Sequence, residues 1–115
     1  QAAFSEKAWA KVPLFSSDNK TSSYHLYMLR IKDISEDKRD TIIAKISEKE
    51  VAVNVHYLPL AMLTFYRNKG YAINDYPQTY ENYKAEITLP VYYNLTDSQV
   101  DTVINAVVES VEEII

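Results

Sequence analysis

The chain has 115 residues, of which 47% are hydrophobic and 24% charged, and this balance predicts one packed domain and excludes intrinsic disorder. Its formal net charge of −4, without a basic block, argues against binding to nucleic acid, and no apolar run approaches the roughly 20 residues of a membrane span. Cysteine is absent and glycine occurs once, as Gly70, which excludes disulfide scaffolds, thiolate metal sites and glycine-rich phosphate loops. We expect a cytoplasmic location, because no signal peptide is visible.

The first part of the chain predicts a lead-in followed by a strand. Residues 1–21 are interpreted as a truncated helical lead-in and loop, with helical turns in Gln1–Ala10 and a polar loop over Ser16–Ser23. Because no initiator Met is present, we expect this segment to be a severed end. Tyr24–Ile31 is apolar on both faces, which predicts a strand that is covered on both sides. His25 within it is expected to be a buried structural histidine.

A helix and a second strand are predicted in the middle of the chain. Ser35 is a plausible N-cap of a helix that ends near Glu50. One face of this helix is apolar, and the opposite face is expected to be solvated through Lys38, Arg39, Lys45 and Lys49. The alternation of Val51–Tyr57 then predicts a strand. Its core face would carry Val51, Val53, Val55 and Tyr57, and its other face Ala52, Asn54 and His56.

The last part predicts two short helices, a third strand and a long helix. The short helices cover Leu60–Lys69, closed by Gly70 as C-cap, and about Pro77–Lys84. The third strand contains Ile87, Leu89 and Val91, interrupted by Pro90. Thr96 and Gln99 form a capping box before an apolar stripe. The stripe consists of Val100, Val103, Ile104, Val107, Val108, Val111 and Ile114. This order predicts an α+β fold, a small and mostly antiparallel sheet of about three strands packed against helices.

Few side chains are candidates for chemistry. His56 lies beside a proline-ended loop, where it could bind an anion or move a proton, or it could be a structural histidine. Two distant histidines do not supply the three or four ligands of a zinc site, so we expect no metal. The nine lysines lie in polar contexts, whereas a Schiff-base lysine needs an apolar setting to lower its pKa. We therefore expect no catalytic residue in this chain.

Several short motifs follow one another in a characteristic order. The most specific is His56-Tyr57-Leu58-Pro59-Leu60, at the end of the second predicted strand. The others are Arg39-Asp40, Leu89-Pro90 and the run Leu95-Thr96-Asp97-Ser98-Gln99-Val100. With these motifs the chain resembles, from about residue 22 to its end, the C-terminal portion of the DegT/DnrJ/EryC1/StrS sugar aminotransferases. Many members continue the first motif as Pro-Leu-His, whereas this chain has Ala61 at that place.

The resemblance implies a function for a larger parent protein. Members of the family have the fold-type-I architecture and use pyridoxal phosphate (PLP) to transfer an amino group, usually from glutamate, to a nucleotide-linked keto sugar. The lysine that binds the cofactor belongs to a large N-terminal domain, and nothing in this chain resembles that domain. Residues 1–115 would then be a single small domain, severed from the large one and inactive alone, and the parent would form a homodimer. Asn54 in this motif context is more similar to members that make amino sugars for bacterial surface polysaccharides.

The resemblance also nominates site residues. In the family the small domain closes one side of the substrate cleft, and carried over to this chain the substrate contacts would be Asn54, His56 and Tyr57. A free-standing ligand-binding or regulatory α+β module without catalysis stays an alternative. Eight of the ten tyrosines lie between Tyr57 and Tyr93, and they could stack on a ligand in such a module or line a core rim. A purely structural interaction domain is the third possibility.

Overall fold

A computed structural model describes residues 2–115, so that Gln1, part of the predicted lead-in, lies outside the described residues. These residues form five α-helices and five strands. They are α1 (Ala2–Ser5), β1 (Ala10–Lys11), β2 (Ser16–Ser17), β3 (Lys20–Thr21), β4 (Tyr27–Ile31), α2 (Glu36–Glu48), α3 (Thr64–Asn68), α4 (Pro77–Ala85), β5 (Glu86–Leu89) and α5 (Asp97–Ile114). Single 3₁₀ turns, Leu60–Met62 and Ile73–Asp75, precede α3 and α4. The α+β class predicted from the sequence is confirmed.

The main sheet has three antiparallel strands in the order β1-β4-β5. In the register of β4 and β5, Tyr27 pairs with Leu89, Met28 with Thr88, Leu29 with Ile87 and Arg30 with Glu86. Because side chains alternate along a strand, one face of the sheet is apolar and the other polar. The apolar face carries Leu29, Ile31, Ile87 and Leu89, and the polar face Met28, Arg30, Glu86 and Thr88.

Two helices cover the apolar face of the sheet and build the core with it. Ile42 and Ile46 of α2 and Val107 and Val111 of α5 are buried in the same cluster as the strand residues. Both predicted N-caps are confirmed, since the side chains of Ser35 and Thr96 accept backbone N–H bonds and Thr96 forms a complete capping box with Gln99. The apolar stripe of α5 packs as its spacing predicts.

The start of the chain differs from the predicted helical lead-in and loop. Only Ala2–Ser5 is helical, while β1 pairs with β4 and β2 and β3 form a hairpin inside the predicted loop. The strand predicted from Tyr24 begins at Tyr27, because Tyr24 adopts a φ of 57° that interrupts an extended chain. His25 is therefore exposed, and the prediction of a buried histidine was wrong.

The alternating segment Val51–Tyr57 does not form the predicted strand. It makes a single antiparallel bridge, in which Asn54 and Thr88 exchange backbone bonds of 3.1 and 2.7 Å. Val51 and Val53 pack against the core as predicted, but Tyr57 is 74% exposed and does not share their environment. The alternation predicts the core contacts of Val51 and Val53, but not the positions of Val55 and Tyr57, and it does not ensure a ladder.

The predicted helix Leu60–Lys69 is split. Leu63 has an extended conformation with a ψ of 139°, which separates the 3₁₀ turn from α3. Gly70, with a φ of +93°, closes α3 as predicted. The N–H groups of Gly70 and Tyr71 donate to the carbonyls of Arg67 and Tyr66 at 3.0 and 3.2 Å, the pattern of a Schellman motif.

Arg39 is the largest departure from the predicted helix faces, because its side chain is buried where a solvated one was expected. Residue Arg39 is 1% exposed. Its Nη1 donates to the carbonyl oxygens of Tyr83 at 2.9 Å and Glu86 at 3.3 Å, and its Nε donates to Asp40 at 2.7 Å. Arg39 thereby joins α2 to the junction between α4 and β5.

Candidate functional site

A cleft of about 520 Å³ lies over the polar face of the sheet. Met28 and Arg30 of β4 and Glu86 of β5 form its floor, and Tyr83 of α4 forms one wall. The segment that contains His56 and Tyr57 lies along its rim. The cleft therefore exists because the polar sheet face is covered by this segment and α4, whereas α2 and α5 cover the apolar face.

The structure brings together two of the three predicted contact residues. His56 and Tyr57 both line the cleft, with their ring centroids 4.5 Å apart and their planes nearly perpendicular. The peptide bond between them is cis. Asn54 does not line the cleft; its Oδ1 accepts a bond of 2.7 Å from the N–H of Val55, and its backbone bridges to Thr88. Asn54 thus fixes the segment from which His56 projects.

His56 is anchored to β5 through both its ring and its backbone. Its Nδ1 lies 2.8 Å from Oγ1 of Thr88, and its N–H donates to Oε2 of Glu86 at 2.9 Å. The hydroxyl of Thr88 donates to Oε1 of the same carboxylate. These contacts fix the imidazole at the edge of the cleft. The family resemblance nominated His56, whereas Thr88 and Glu86 carry no sequence signal except their spacing of two in a strand.

Glu86 is a buried acid in this site, with 3% of its surface exposed. Burial raises the pKa of its carboxyl, because the charged form loses its solvation. The bonds from Thr88 and from the N–H of His56 lower that pKa, as do the charges of His56 and Arg39, but the net direction is upward. A buried acid with a perturbed pKa that lines a cleft is a candidate functional residue.

Arg30 supplies positive charge to the cleft. Among the described residues 2–115 it is the one lysine or arginine that lines the cleft, and its guanidinium donates to Oδ1 of Asn82. A guanidinium suits the planar recognition of carboxylate and phosphate groups. Sequence reasoning did not single out Arg30, although a lone charge inside the apolar strand Tyr27–Ile31 was a usable signal. Arg30, His56 and the tyrosines can together hold an anionic, hydroxyl-rich ligand.

A second cavity of about 430 Å³ lies on the other side of Pro59. It is lined by Leu60 and Ala61 and by three of the clustered tyrosines, Tyr66, Tyr71 and Tyr76. Ala61 contributes an apolar methyl group to this lining.

The described residues do not fit the covalent attachment of PLP. No lysine in residues 2–115 is buried, and none lines the cleft beside His56. Lys7, Lys45 and Lys84 are partly buried, but each pairs with a glutamate at 2.7 Å or less. Such pairing favours the charged ammonium and opposes the low pKa that a Schiff-base lysine needs.

Residues 2–115 contain neither a metal-binding cluster nor a membrane-spanning helix. No group of three or more His, Cys, Asp or Glu side chains among them is placed to hold a metal ion. Over the same residues, every helix is too short or too polar to span a bilayer.

Comparison with known sequences identifies relatives of this chain. The model of the DegT/DnrJ/EryC1/StrS aminotransferase family matches residues 2–108. The uncharacterized protein MJ1066 of Methanocaldococcus jannaschii is 37% identical over 93 residues, which cover 79% of this chain and 24% of that protein. The spore coat polysaccharide biosynthesis protein SpsC of Bacillus subtilis is 31% identical over 110 residues, which cover 93% of this chain and 28% of that protein.

Solved structures agree with the sequence relatives. The PMP form of Spr1654, described as a sugar aminotransferase of Streptococcus pneumoniae, superposes with a TM-score of 0.94 and 32% identity. The match covers 99% of this chain and 28% of that one. The chain thus spans between a quarter and a third of the length of the relatives it matches. With nearly its whole length matched by one family model, this chain belongs to the DegT/DnrJ/EryC1/StrS aminotransferase family.

Proposed function

We propose that this chain forms the substrate-side wall of the cleft in a PLP-dependent sugar aminotransferase. The reaction would transfer an amino group, from glutamate, to a nucleotide-linked keto sugar used in bacterial surface polysaccharides. The observation that carries this proposal is the cleft in which His56, Tyr57 and Arg30 converge. Family membership and the similarity to SpsC support the class of reaction.

The parent protein would supply the parts that this chain lacks. A large domain would carry the lysine and the cofactor, and the parent would act as a homodimer in the cytoplasm. The short span of the chain relative to its relatives and the lysine-free cleft support this division. PLP supplies the electron sink for amino transfer, and the task of the residues described above is to bind and orient the sugar.

Each residue of the cleft has a role that fits a nucleotide sugar. Arg30 would pair with an anionic group such as the diphosphate, because a guanidinium can form two parallel bonds to it. His56 would bond a polar group of the sugar through Nε2, since its Nδ1 faces the hydroxyl of Thr88. Tyr57 is largely exposed and offers an apolar ring face to the sugar. Asn54 would act through the segment that it holds.

The test is His56→Ala in the full-length parent, measured separately for the sugar and amino-acid half-reactions. Losing one hydrogen bond between neutral groups costs about 0.5–1.5 kcal/mol, so kcat/KM for the sugar should fall about two- to tenfold. The half-reaction with glutamate, which needs no sugar, should change far less. His25→Ala is the matched control, because His25 is exposed and does not line the cleft.

Two results would contradict the role of His56. A folded His56→Ala enzyme with unchanged sugar kinetics would remove His56 from the site. An equal loss in both half-reactions, together with a lower melting temperature, would identify a structural histidine.

The chain alone should be inactive and should not bind PLP covalently. We expect its intact mass to be unchanged after incubation with one equivalent of PLP and reduction with borohydride, because no lysine lies in an apolar setting. A stoichiometric increase by one reduced cofactor would contradict the proposed division of labour.

A free-standing ligand-binding module is the second candidate, favoured by the tyrosine-lined cavity beside Pro59. Calorimetric titration of the chain with a nucleotide sugar discriminates between the two. A binding module would bind the ligand with micromolar affinity without a partner. One wall of a two-sided cleft would bind it far more weakly, because half of the contacts are missing.

A further inference from the structure

The ring of His56 ends a chain of hydrogen bonds that starts at a buried acid. Glu86 is 3% exposed and Thr88 is 5% exposed, so the bonds between them are shielded from water. Oε2 of Glu86 accepts the N–H of His56, and Oε1 accepts the hydroxyl of Thr88. Nδ1 of His56 lies 2.8 Å from that same hydroxyl oxygen. The four groups therefore form one connected set.

The number of hydrogens that Glu86, Thr88 and His56 can donate determines which group donates in each of these bonds. An ionised carboxylate only accepts, and a hydroxyl has one hydrogen to donate. When Thr88 gives its hydrogen to Glu86, its oxygen can only accept from His56. Nδ1 of His56 must then carry the ring hydrogen, and Nε2 of the neutral imidazole keeps a free lone pair.

We propose that Glu86 and Thr88 are positioning residues that hold neutral His56 as the Nδ1–H tautomer, so that Nε2 accepts a hydrogen bond from a donor group of the ligand. A sugar hydroxyl or an amide N–H would satisfy this site, whereas a carbonyl or phosphate oxygen would not. The nature of the ligand rests on the proposed function, but the tautomer does not.

Other groups near the ring do not compete for its nitrogens. The rings of Tyr57 and His56 are nearly perpendicular, and Tyr83 donates its hydroxyl to Glu36 at 2.7 Å. The guanidinium of Arg30 bonds to Asn82. The carboxylate of Glu86 is thus linked to His56 in two ways, by accepting the backbone N–H of His56 and through the hydroxyl of Thr88.

A neutral side chain at position 86 should reverse the chain of bonds. In Glu86→Gln, the amide oxygen accepts the N–H of His56, because that N–H can only donate. The amide NH₂ then faces Thr88 and donates to its oxygen. The hydroxyl of Thr88 is released to donate to Nδ1 of His56, which moves the ring hydrogen to Nε2.

NMR of the ¹⁵N-labelled protein tests this without any substrate. Long-range ¹H–¹⁵N spectra at about pH 8.5, above the range in which imidazole ordinarily titrates, distinguish the two neutral tautomers. We expect His56 to be the Nδ1–H tautomer, and the exposed His25 serves as an internal reference in every spectrum. Glu86→Gln should invert the tautomer of His56 and leave His25 unchanged.

Two substitutions at Thr88 separate its hydroxyl from its bulk. Thr88→Val should abolish the preference of His56, so that its ring signals approach those of His25, while Thr88→Ser should retain it. Thr102→Val is the matched control, because the hydroxyl of Thr102 bonds to Ser98 on the exposed surface of α5. If Glu86→Gln fails to fold, the Thr88 pair decides the question.

Certain results would overturn the proposal. An Nε2–H tautomer of His56 in the unmodified protein would do so, as would an unchanged tautomer in Thr88→Val. Neither result would affect the proposed role of His56 in sugar binding, which the half-reaction kinetics test independently.

Discussion

Replacing Arg39 by methionine tests the buried polar contact that joins α2 to the junction between α4 and β5. Methionine keeps an unbranched apolar stem but removes the donors to the carbonyls of Tyr83 and Glu86, at 2.9 and 3.3 Å. A hydrogen bond from a charged donor contributes about 1.5–3 kcal/mol to stability. The bond to the carbonyl of Glu86, at 3.3 Å, is the longer one and is assigned the low end of that range. The pair with Asp40, which is exposed, adds little. We therefore expect a loss of about 2–4 kcal/mol in the free energy of unfolding.

Urea unfolding and thermal melting both measure this loss. For a domain of this size each kcal/mol lowers the melting temperature by about 4 °C, so Arg39→Met should melt about 8–16 °C lower. Arg39→Lys should lose an intermediate amount, because it keeps the charge and not the planar fork. Lys38→Met, on the exposed side of the same helix, should stay within about 0.5 kcal/mol of the unmodified protein. An Arg39→Met loss no larger than that of Lys38→Met would refute the assignment.

Three further changes test other parts of the fold. Burial raises the pKa of Glu86 above 4.5, so the stability that its protonated form contributes is present below that pH and lost as the pH rises through the raised value. The glutamine of Glu86→Gln does not titrate, so the free energy of unfolding of this variant, relative to the unmodified protein, should increase from pH 4.5 upward. If urea titrations gave the same difference between the two proteins at every pH, this would be contradicted. Gly70→Ala should cost about 1 kcal/mol through its φ of +93° alone, since no atom beyond the adjacent residues lies within 4 Å of the added Cβ. An unchanged urea midpoint would argue against that cost. Thr96→Ala should cost about 1 kcal/mol through the lost capping box, measured in the same way against Ser98→Ala.

The features that could be predicted from the sequence depend on neighbours along the chain. The caps at Ser35 and Thr96 are set by side chains that reach backbone groups three residues away. The stripe of α5 follows from a period of 3.6, and the turn at Gly70 follows from the freedom of glycine at positive φ. Each of these signals lies within one element, so a single sequence carries it.

The features that could not be predicted depend on contacts between distant residues. Arg39 was expected on the solvated face of α2, because nothing in its helix shows that the carbonyls of Tyr83 and Glu86 lie beside it. Glu86 and Thr88 acquire their role from His56, which is 30 and 32 residues away along the chain. His25 was expected inside a strand, but Tyr24 has a positive φ and the strand begins only at Tyr27, after His25.

The failed strand prediction over Val51–Tyr57 explains how the candidate site arises. The bonded pair in an antiparallel ladder recurs every second residue, so after the bridge between Asn54 and Thr88 the next pair would join His56 to Glu86. In the structure the N–H of His56 bonds to the side chain of Glu86 instead. The carbonyl of Glu86 is left for Arg39, which donates to it from α2. The side chains of Glu86 and Arg39 thus take the place of the next pair of backbone bonds in the ladder. Without that pair the chain leaves the edge of the sheet, and the cleft opens beside His56.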